Sequence, residues 1–277
     1  MTNIIRIAIP SLNAVNTIGS TLAALRPLQK VAEIVVVDSF SEDGTRDLVE
    51  QAGIELRSCP PGNMYEAINE GLEDAQTPWL TYINADDLLY SHILAKRLKA
   101  ATAKASVYYG RVDYIDSENR FLRSWLPAHP SSVLPLYQTG YSPMLQQGTF
   151  FSRELFQKLG GFDTRFHYVA DADFWYRAAE KGFSFCRQTK NSVAAFRLHP
   201  SQITNRLKNP MTTEHKKMVA SHTPSPPNFW RIKKALWYWK WENKGSYAER
   251  FLRNSILGLR PRFCDSYALP KDTDPPE

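Results

Sequence analysis

Trp79-Leu80-Thr81-Tyr82-Ile83-Asn84-Ala85-Asp86-Asp87 is an apolar run that stops at two adjacent carboxylates, with an amide just before them. Such a short run reads as a buried strand. Acids at the carboxyl end of a strand in an open α/β sheet project into the crevice where ligands bind. Adjacent carboxylates also repel, so holding them together takes a cation or a donor-rich ligand. Hard oxygen ligands of this kind suit Mg²⁺ or Mn²⁺, bound through one or two carboxylates plus substrate phosphates. The alternative is a solvated turn, with Asp87 or Ser91 capping the helix that follows.

Upstream of this run, short β-rich stretches alternate with helical patterns. Ile4–Ile9 reads as a strand, Pro10 to Asn13 as a loop, and a helix follows through Leu25. Glu33–Asp38 is a second strand, and its core Ile34-Val35-Val36-Val37 has the continuous apolar character of a strand covered on both faces. A polar loop spans Ser39 to Thr45 and a helix runs to Ala52. Ile54–Arg57 is a third strand, Met64–Ala75 a helix, and Trp79–Ile83 the fourth strand. That order demands right-handed crossovers and a mostly parallel sheet.

Downstream, Ile93–Ala103 reads as a helix and Ser106–Tyr114 as a strand, after which the pattern loosens through a Pro-containing region to Tyr141. A second block opens with a strand over Gln146–Ser152 and the helix Arg153–Leu159. Gly160-Gly161 closes that helix with a left-handed cap. Asp171–Lys181 is a further helix, and Phe183–Arg187 and Val193–Arg197 are late strands. Pro224-Ser225-Pro226-Pro227 breaks the chain before a terminal helical segment.

With 277 residues and 43% hydrophobic content, the chain can bury a full core. One large domain (1–205) with an appendage (206–277) is the expected division. Met1 to Leu12 is too short an apolar run for a signal peptide, and no stretch nears the ~20 apolar residues that span a bilayer. Cys59, Cys186 and Cys264 are scattered, which excludes a disulfide framework or zinc cluster and points to a reducing cytoplasm. Residues 1–205 carry 20 Lys and Arg against 21 Asp and Glu, whereas residues 206–277 carry 14 against 7. The basic excess belongs to the tail and implies an anionic partner there.

Several motifs fall in order. Ile7-Ala8-Ile9-Pro10-Ser11-Leu12-Asn13 opens the chain, and Val36-Val37-Asp38-Ser39-Phe40-Ser41-Glu42-Asp43-Gly44-Thr45 follows the second strand. Tyr65-Glu66-Ala67-Ile68-Asn69-Glu70-Gly71 lies on the third helix, and Asn84-Ala85-Asp86-Asp87 ends the fourth strand. Gly160-Gly161-Phe162-Asp163 and Asp171-Ala172-Asp173-Phe174-Trp175-Tyr176-Arg177 complete the set. Over about residues 4–205 this ordered set closely resembles the family-2 glycosyltransferases. The fold it implies is α/β, of GT-A (Rossmann-like) type: a mostly parallel central sheet flanked by helices, here with a basic, aromatic-rich helical C-terminal extension.

The resemblance implies a nucleotide-sugar site formed by Pro10, Asn13, Asp38, Ser41, Glu66, Asn69, Asn84, Ala85 and Asp86. It further implies a divalent metal (Mn²⁺ or Mg²⁺) at Asp86 and Asp87 with His199 as a late ligand, and Gln146 and Gln147 on the acceptor side. Asn84 departs from the acid that many relatives carry at that position. An inverting transfer needs a carboxylate to deprotonate the acceptor hydroxyl. Asp171 matches the family's base, with Asp173 in reserve. Structural alternatives stand beside each assignment. Asp38 can cap a turn with Ser41 or Gly44, and Glu66 and Asn69 can be ordinary helix-surface polarity. Asp171 suits a helix N-cap, Asp173 can pair with Arg177 at i, i+4, and His199 can be structural.

Residues 229–241, Phe229-Trp230-Arg231-Ile232-Lys233-Lys234-Ala235-Leu236-Trp237-Tyr238-Trp239-Lys240-Trp241, give two apolar arcs at helical spacing. Phe229, Ile232, Ala235, Leu236 and Trp239 form one. Trp230, Trp237 and Trp241 form the other, flanked by Lys233, Lys234 and Lys240. Interleaved aromatics and lysines suit a bilayer interface; the alternative is packing against the domain or a second subunit in a homodimer. No recognition motif accompanies the charge, so nucleic acid is not the expected partner. The expectation is an enzyme that uses a nucleotide-diphosphate sugar donor and a glycan or lipid-linked acceptor in cell-surface polysaccharide synthesis, cytoplasmic and peripheral on the inner face of the membrane. Two other readings are a nucleotidyltransferase, weakened because Pro10-Ser11-Leu12-Asn13 is neither Gly-rich nor basic, and a non-catalytic binding module.

Overall fold

Alternate side chains of the first two strands enter two different cores, and this single fact sets the layering. β1 (Ile5–Ser11) and β2 (Ala32–Asp38) pair in parallel from Ile5↔Ala32 to Ser11↔Asp38. Ile5, Ile7, Ile9, Ile34 and Val36 pack with Ile18, Leu22 and Leu25 of α1 (Ile18–Leu25) and Val49 of α2 (Thr45–Gln51). Ala8, Val35 and Val37 pack on the opposite face with Tyr65, Ile68 and Leu72 of α3 (Met64–Leu72). A period-2 strand covered by helices on both sides has no solvent face, which is why these strands read as unbroken apolar runs. α3 lies close on the sheet at Gly71, where an added Cβ would come within 2.9 Å of the Ala8 Cβ.

The structure is a computed structural model that describes residues 3–91, 94, 105–198, 208–222 and 228–251. Its described strands form one nine-stranded sheet. β3 (Glu55–Ser58) pairs outside β2, while β4 (Trp79–Tyr82) pairs on the other side of β1. These parallel neighbours give the order β3-β2-β1-β4, which reverses direction between β1 and β4. The crevice of such a sheet opens at that reversal, above the carboxyl ends of the strands. β1 continues through Pro10 and Ser11 beyond the expected end at Ile9. Proline is accommodated because the β1–β4 ladder stops at Ala8↔Tyr82.

The second half is mixed. β8 (Thr149–Ser152) lies antiparallel between β4 and β6 (Val107–Asp116), and β9 (Phe185–Leu198) runs parallel to β6. β9 joins the two expected late strands into one, with a register irregularity opposite Gly110 and Arg111. Two short strands escaped the sequence reading. β5 (Leu88–Leu89) pairs antiparallel with β9, and β7 (Phe121–Trp125) pairs with β6. α4 (Val133–Tyr137) sits in the stretch read as loop. α5 (Arg153–Leu159) has the expected bounds and ends at Gly160 with φ +72, the left-handed cap. The helix expected over Ile93–Ala103 lies, apart from Leu94, outside the described residues.

α6 (Ala170–Glu180), α7 (Lys208–His222) and α8 (Phe229–Phe251) complete the fold. Neither tail helix stands apart from the catalytic body. Met218 of α7 is fully buried in the same core as Phe174 and Trp175 of α6. On α8, Ala235 and Trp239 are buried against Ala128 and Leu136. The Trp239 Nε1 donates to the Leu126 carbonyl at 3.0 Å, and Arg187 forms a paired contact with Glu242 at 2.9 and 3.1 Å. The first apolar arc of the tail therefore packs inward from Ile232 to Trp239, while Phe229 at its start is 59% exposed. The second stays in solvent: Trp230, Trp237 and Trp241 are 75%, 65% and 53% exposed.

Candidate active site

Above the carboxyl ends of β1 and β2 two loops are stitched by side chains. Asp38 is fully buried; its Oδ1 accepts from Ser11 Oγ (2.7 Å) and Ser41 Oγ (2.6 Å), its Oδ2 from the Ser41 amide (2.8 Å) and Arg46 (3.2 Å). Burial pushes this carboxyl upward, but the Ser41, Ser11 and Arg46 contacts together hold it below the usual carboxylate value. Ser41 Oγ also accepts from the Asn13 amide, and the Asn13 side-chain oxygen accepts from the Glu42 amide. Asn13 and Phe40 sit at φ +50 and +59, so both loop tips are in the left-handed region. The turn into α2 is served by Asp43, which accepts from Thr45 and Val15. The loop lip is apolar: Leu12 and Phe40 are 53% and 57% exposed.

At the end of β4 the two carboxylates part company. Asp87 turns inward and is completely buried. It accepts from the Arg197 amide (2.9 Å), Gln147 Nε2 (2.8 Å) and Asn84 Nδ2 (3.2 Å). Burial, then the neighbouring Asp86 charge, push its carboxyl well up. Arg197 supplies the cation that the acidic pair requires: its Nε donates to the Asp86 carbonyl at 2.6 Å and its charge faces both carboxylates. The sequence expectation of Asp87 as a metal ligand is corrected accordingly, because both of its oxygens are engaged by protein donors. Asp86 is half-buried and retains solvent access. The Asn84 Oδ1 is a buried acceptor without a partner.

These observations test the implied cation. Among the described residues no three His, Cys, Asp or Glu side chains cluster for a metal, and His199 lies outside them. One accessible carboxylate, Asp86, still suits a divalent ion whose other ligands are substrate phosphates and water. The fit is to a substrate-borne cation rather than to a closed protein cage.

α3 and α6 bring the remaining assignments together. Asn63 caps α3 by accepting from the Tyr65 amide at 2.9 Å, and its Nδ2 donates to the carbonyls of Thr164 and Phe166. Asn69 donates to the Phe162 carbonyl (2.8 Å) and accepts from the Phe162 amide (2.9 Å). Its amide is thus used in holding the Gly160-Gly161-Phe162 turn, which corrects its assignment to the nucleotide sugar. Glu66 is exposed on the first turn of α3.

Asp171 stands in the first turn of α6. Its Oδ1 accepts from the Tyr65 hydroxyl (3.1 Å) and the Ala172 amide (2.8 Å). Burial raises its carboxyl despite these two donors. Tyr65, itself buried and pushed well above its ordinary value, remains a protonated donor. Asp171 opens into a cavity of about 720 Å³. Asp173 points away from that cavity, into the core. It is fully buried between Arg177 Nε and His222 Nε2, each at 2.6 Å, and Arg177 carries on to the Leu159 and Gly161 carbonyls. Its place as reserve base is corrected: it is a buried clasp between α5, α6 and α7.

Sequence reasoning missed two residues here. Glu214 of α7 accepts from the amides of His167 (2.8 Å), Tyr168 (2.6 Å) and Val169 (3.1 Å), the donors left open at the start of α6. His215, next to it, lines the Asp171 cavity. Nothing local marks Glu214, since its partners lie more than 40 positions away, and His215 meets the cavity only through the folding of α7 onto α6.

The sequence matches the family model of glycosyl transferase family 2 over residues 6–160. A PGL/p-HBAD biosynthesis glycosyltransferase of Mycobacterium bovis is 29% identical over 179 residues, 61% of this chain and 66% of that protein. An uncharacterized glycosyltransferase of Rickettsia conorii is 25% identical over 189 residues, 63% of this chain and 31% of its own length. The chain therefore spans just under two thirds of the first relative and about a third of the second. Among solved structures, Staphylococcus aureus TarS residues 1–349 with UDP-GlcNAc shares the fold at TM-score 0.64 and 13% identity, covering 91% of this chain and 76% of that one. Mycobacterium tuberculosis glucosyl-3-phosphoglycerate synthase with Mn²⁺ and UDP does so at TM-score 0.59 and 18% identity, over 82% of each chain.

Proposed function

Because the chain belongs to glycosyl transferase family 2, we propose that it moves a sugar from a nucleotide-diphosphate donor to a hydroxyl of a glycan or lipid-linked acceptor, with inversion. The observation that carries this reading is the Asp171 carboxylate, raised by burial and opening into a cavity large enough for a small-molecule ligand. A base must lie within reach of the proton it takes and have affinity for it. The acceptor hydroxyl gives its proton to Asp171 as its oxygen attacks the anomeric carbon, and the diphosphate leaves from the opposite face.

The donor lies above β1, β2 and β4. Asp38 and Ser41 hold the loop in place, and the Leu12–Phe40 lip gives the nucleoside an apolar surface. The orphan Asn84 Oδ1 accepts from a ribose or sugar hydroxyl. Asp86 would hold a divalent cation, which when bound would supply Lewis-acid neutralisation of the diphosphate leaving group. The solvent-facing arc of α8, with Lys233 over Trp230 and Lys244 over Trp241, lies on the cytoplasmic face of an anionic membrane. The mycobacterial relative is a glycosyltransferase of PGL/p-HBAD biosynthesis, which supports the glycosyl-transfer reading.

The test is donor turnover across UDP-, GDP- and dTDP-sugars, with product stereochemistry read by NMR. Asp171→Asn is expected to lose transfer by at least about 10²-fold, the scale of general-base catalysis. Wild-type turnover in that variant would remove the assignment. Nucleoside diphosphate stabilisation that grows with Mn²⁺ is expected in a thermal-shift assay, and no response to any nucleotide would favour a non-catalytic module.

A further inference from the structure

A second cavity, of about 380 Å³, lies between α8 and the turn Pro130–Ser132 that leads into α4, and it shares no lining residue with the cavity beside Asp171. Arg231, Lys234, Ala235 and Tyr238 line it at spacings i, i+3, i+4 and i+7, so one face of α8 forms its wall. Ala235 is buried with Ala128 and Leu136 and fixes that face in place. No acidic side chain is part of the lining, and among the described residues neither Arg231 nor Lys234 forms an ion pair. Glu242, further along the same helix, is engaged by Arg187 at 2.9 Å.

The turn contributes Ser132. It is 6% exposed and directly precedes α4, where a serine hydroxyl ordinarily caps the helix, yet it makes no capping bond. Among the described residues its hydroxyl has no hydrogen-bond partner, and it is not sealed off as the Trp175 Nε1 in the core is. A hydroxyl withdrawn from water without a partner carries a cost that a ligand oxygen removes. Two cations without a counter-charge and one unused hydroxyl thus meet at a single cavity. A guanidinium fork, an ammonium and a hydroxyl together match the several oxygens of a phosphate group.

The mouth of the cavity indicates what carries that phosphate. Trp237 lines it, is 65% exposed and stacks on Trp241 at 5.8 Å. Tyr238, 43% exposed, meets His129 edge-on at 6.4 Å. Exposed aromatic rings of this kind settle at the level of lipid headgroups, and a cavity between them lies at the depth of the headgroup phosphates. We propose that it binds the phosphate of an anionic phospholipid, with Arg231 and Lys234 on its charge and Ser132 donating to one of its oxygens. This rests on the placing of α8 at an anionic membrane, and it makes that contact a seated headgroup rather than a diffuse attraction of lysines.

Co-sedimentation of the full chain with phosphatidylcholine vesicles, with and without phosphatidylglycerol, tests it. Wild type is expected to bind the vesicles that contain phosphatidylglycerol. Lys240→Gln, on α8 but outside the cavity, is expected to weaken binding about fivefold, the worth of one cation near an anionic surface. Lys234→Gln removes the same charge and a charge-assisted bond as well, and is expected to weaken it at least about twentyfold. Ser132→Ala changes no charge and breaks no side-chain bond of the fold, and is expected to weaken it about three- to tenfold. Glycerol phosphate in solution, at the phosphate concentration of the vesicles, is expected not to displace the protein. Full displacement would assign the cavity to a soluble phosphate ester and overturn the lipid source. Equal losses in Lys234→Gln and Lys240→Gln, with Ser132→Ala at the wild-type level, overturn the seated site and leave the membrane reading standing. No binding of wild type to the phosphatidylglycerol vesicles overturns both.

Discussion

Replacing Glu214 by Ala removes one carboxylate from the amides of His167, Tyr168 and Val169. The His167 amide is exposed and water replaces its partner at little cost. The Tyr168 and Val169 amides are partly buried at 2.6 and 3.1 Å, and each loses a charge-assisted bond. Removing an ordinary helix cap costs about 0.5–2 kcal/mol, and an anion at a helix start adds a few tenths to about 1 kcal/mol. With partial resolvation, roughly 2–3 kcal/mol is expected, or about 4–12 °C in melting temperature for a domain of this size. Scanning calorimetry checks the magnitude. Turnover checks the consequence, because Asp171 lies two residues past the last of these amides: kcat is expected to fall with the donor KM unchanged. Glu214→Gln, which retains one acceptor oxygen, should lie between. A Glu214→Ala melting temperature within about 1 °C of wild type would refute the view that α7 anchors the base-bearing helix.

Removing the Tyr65 hydroxyl takes away a donor that lowers the Asp171 carboxyl, so Tyr65→Phe is expected to move the acid limb of kcat/KM to higher pH. The folded-state value of Asp171 is raised, so its contribution to stability is present below the unfolded aspartate range and is lost as pH rises through the folded value; urea melts across that range read this directly. Arg177→Met leaves Asp173 buried and half-paired and is expected to cost about 3–5 kcal/mol in denaturant unfolding. Trp239→Ala should cost about 3–5 kcal/mol, whereas Trp237→Ala, in solvent, should shift stability by no more than about 0.5 kcal/mol and instead reduce co-sedimentation with phosphatidylglycerol vesicles.

The alternation of strands and helices to β4 was legible because each element is specified locally. Apolar runs such as Ile34–Val37 admit only a doubly covered strand, and Gly160 admits only a left-handed cap. The ordered motifs located the crevice for the same reason. β5 and β7 were not legible, since strands this short exist by virtue of the partner that pairs them.

What tertiary structure decided is the duty of each carboxylate. Asp86 and Asp87 are equivalent on paper. Arg197 and Gln147, 110 and 60 positions away, draw Asp87 into the core and leave Asp86 at the crevice. Asp171 and Asp173 share one turn of α6, but His222 and Arg177 claim the second. A carboxylate's role follows from the donors that reach it, and donors brought by distant segments leave no local pattern. The sequence alone determined where the acids gather and which family the chain resembles; folding determined which of them face the crevice and the cavity and which are drawn into the core.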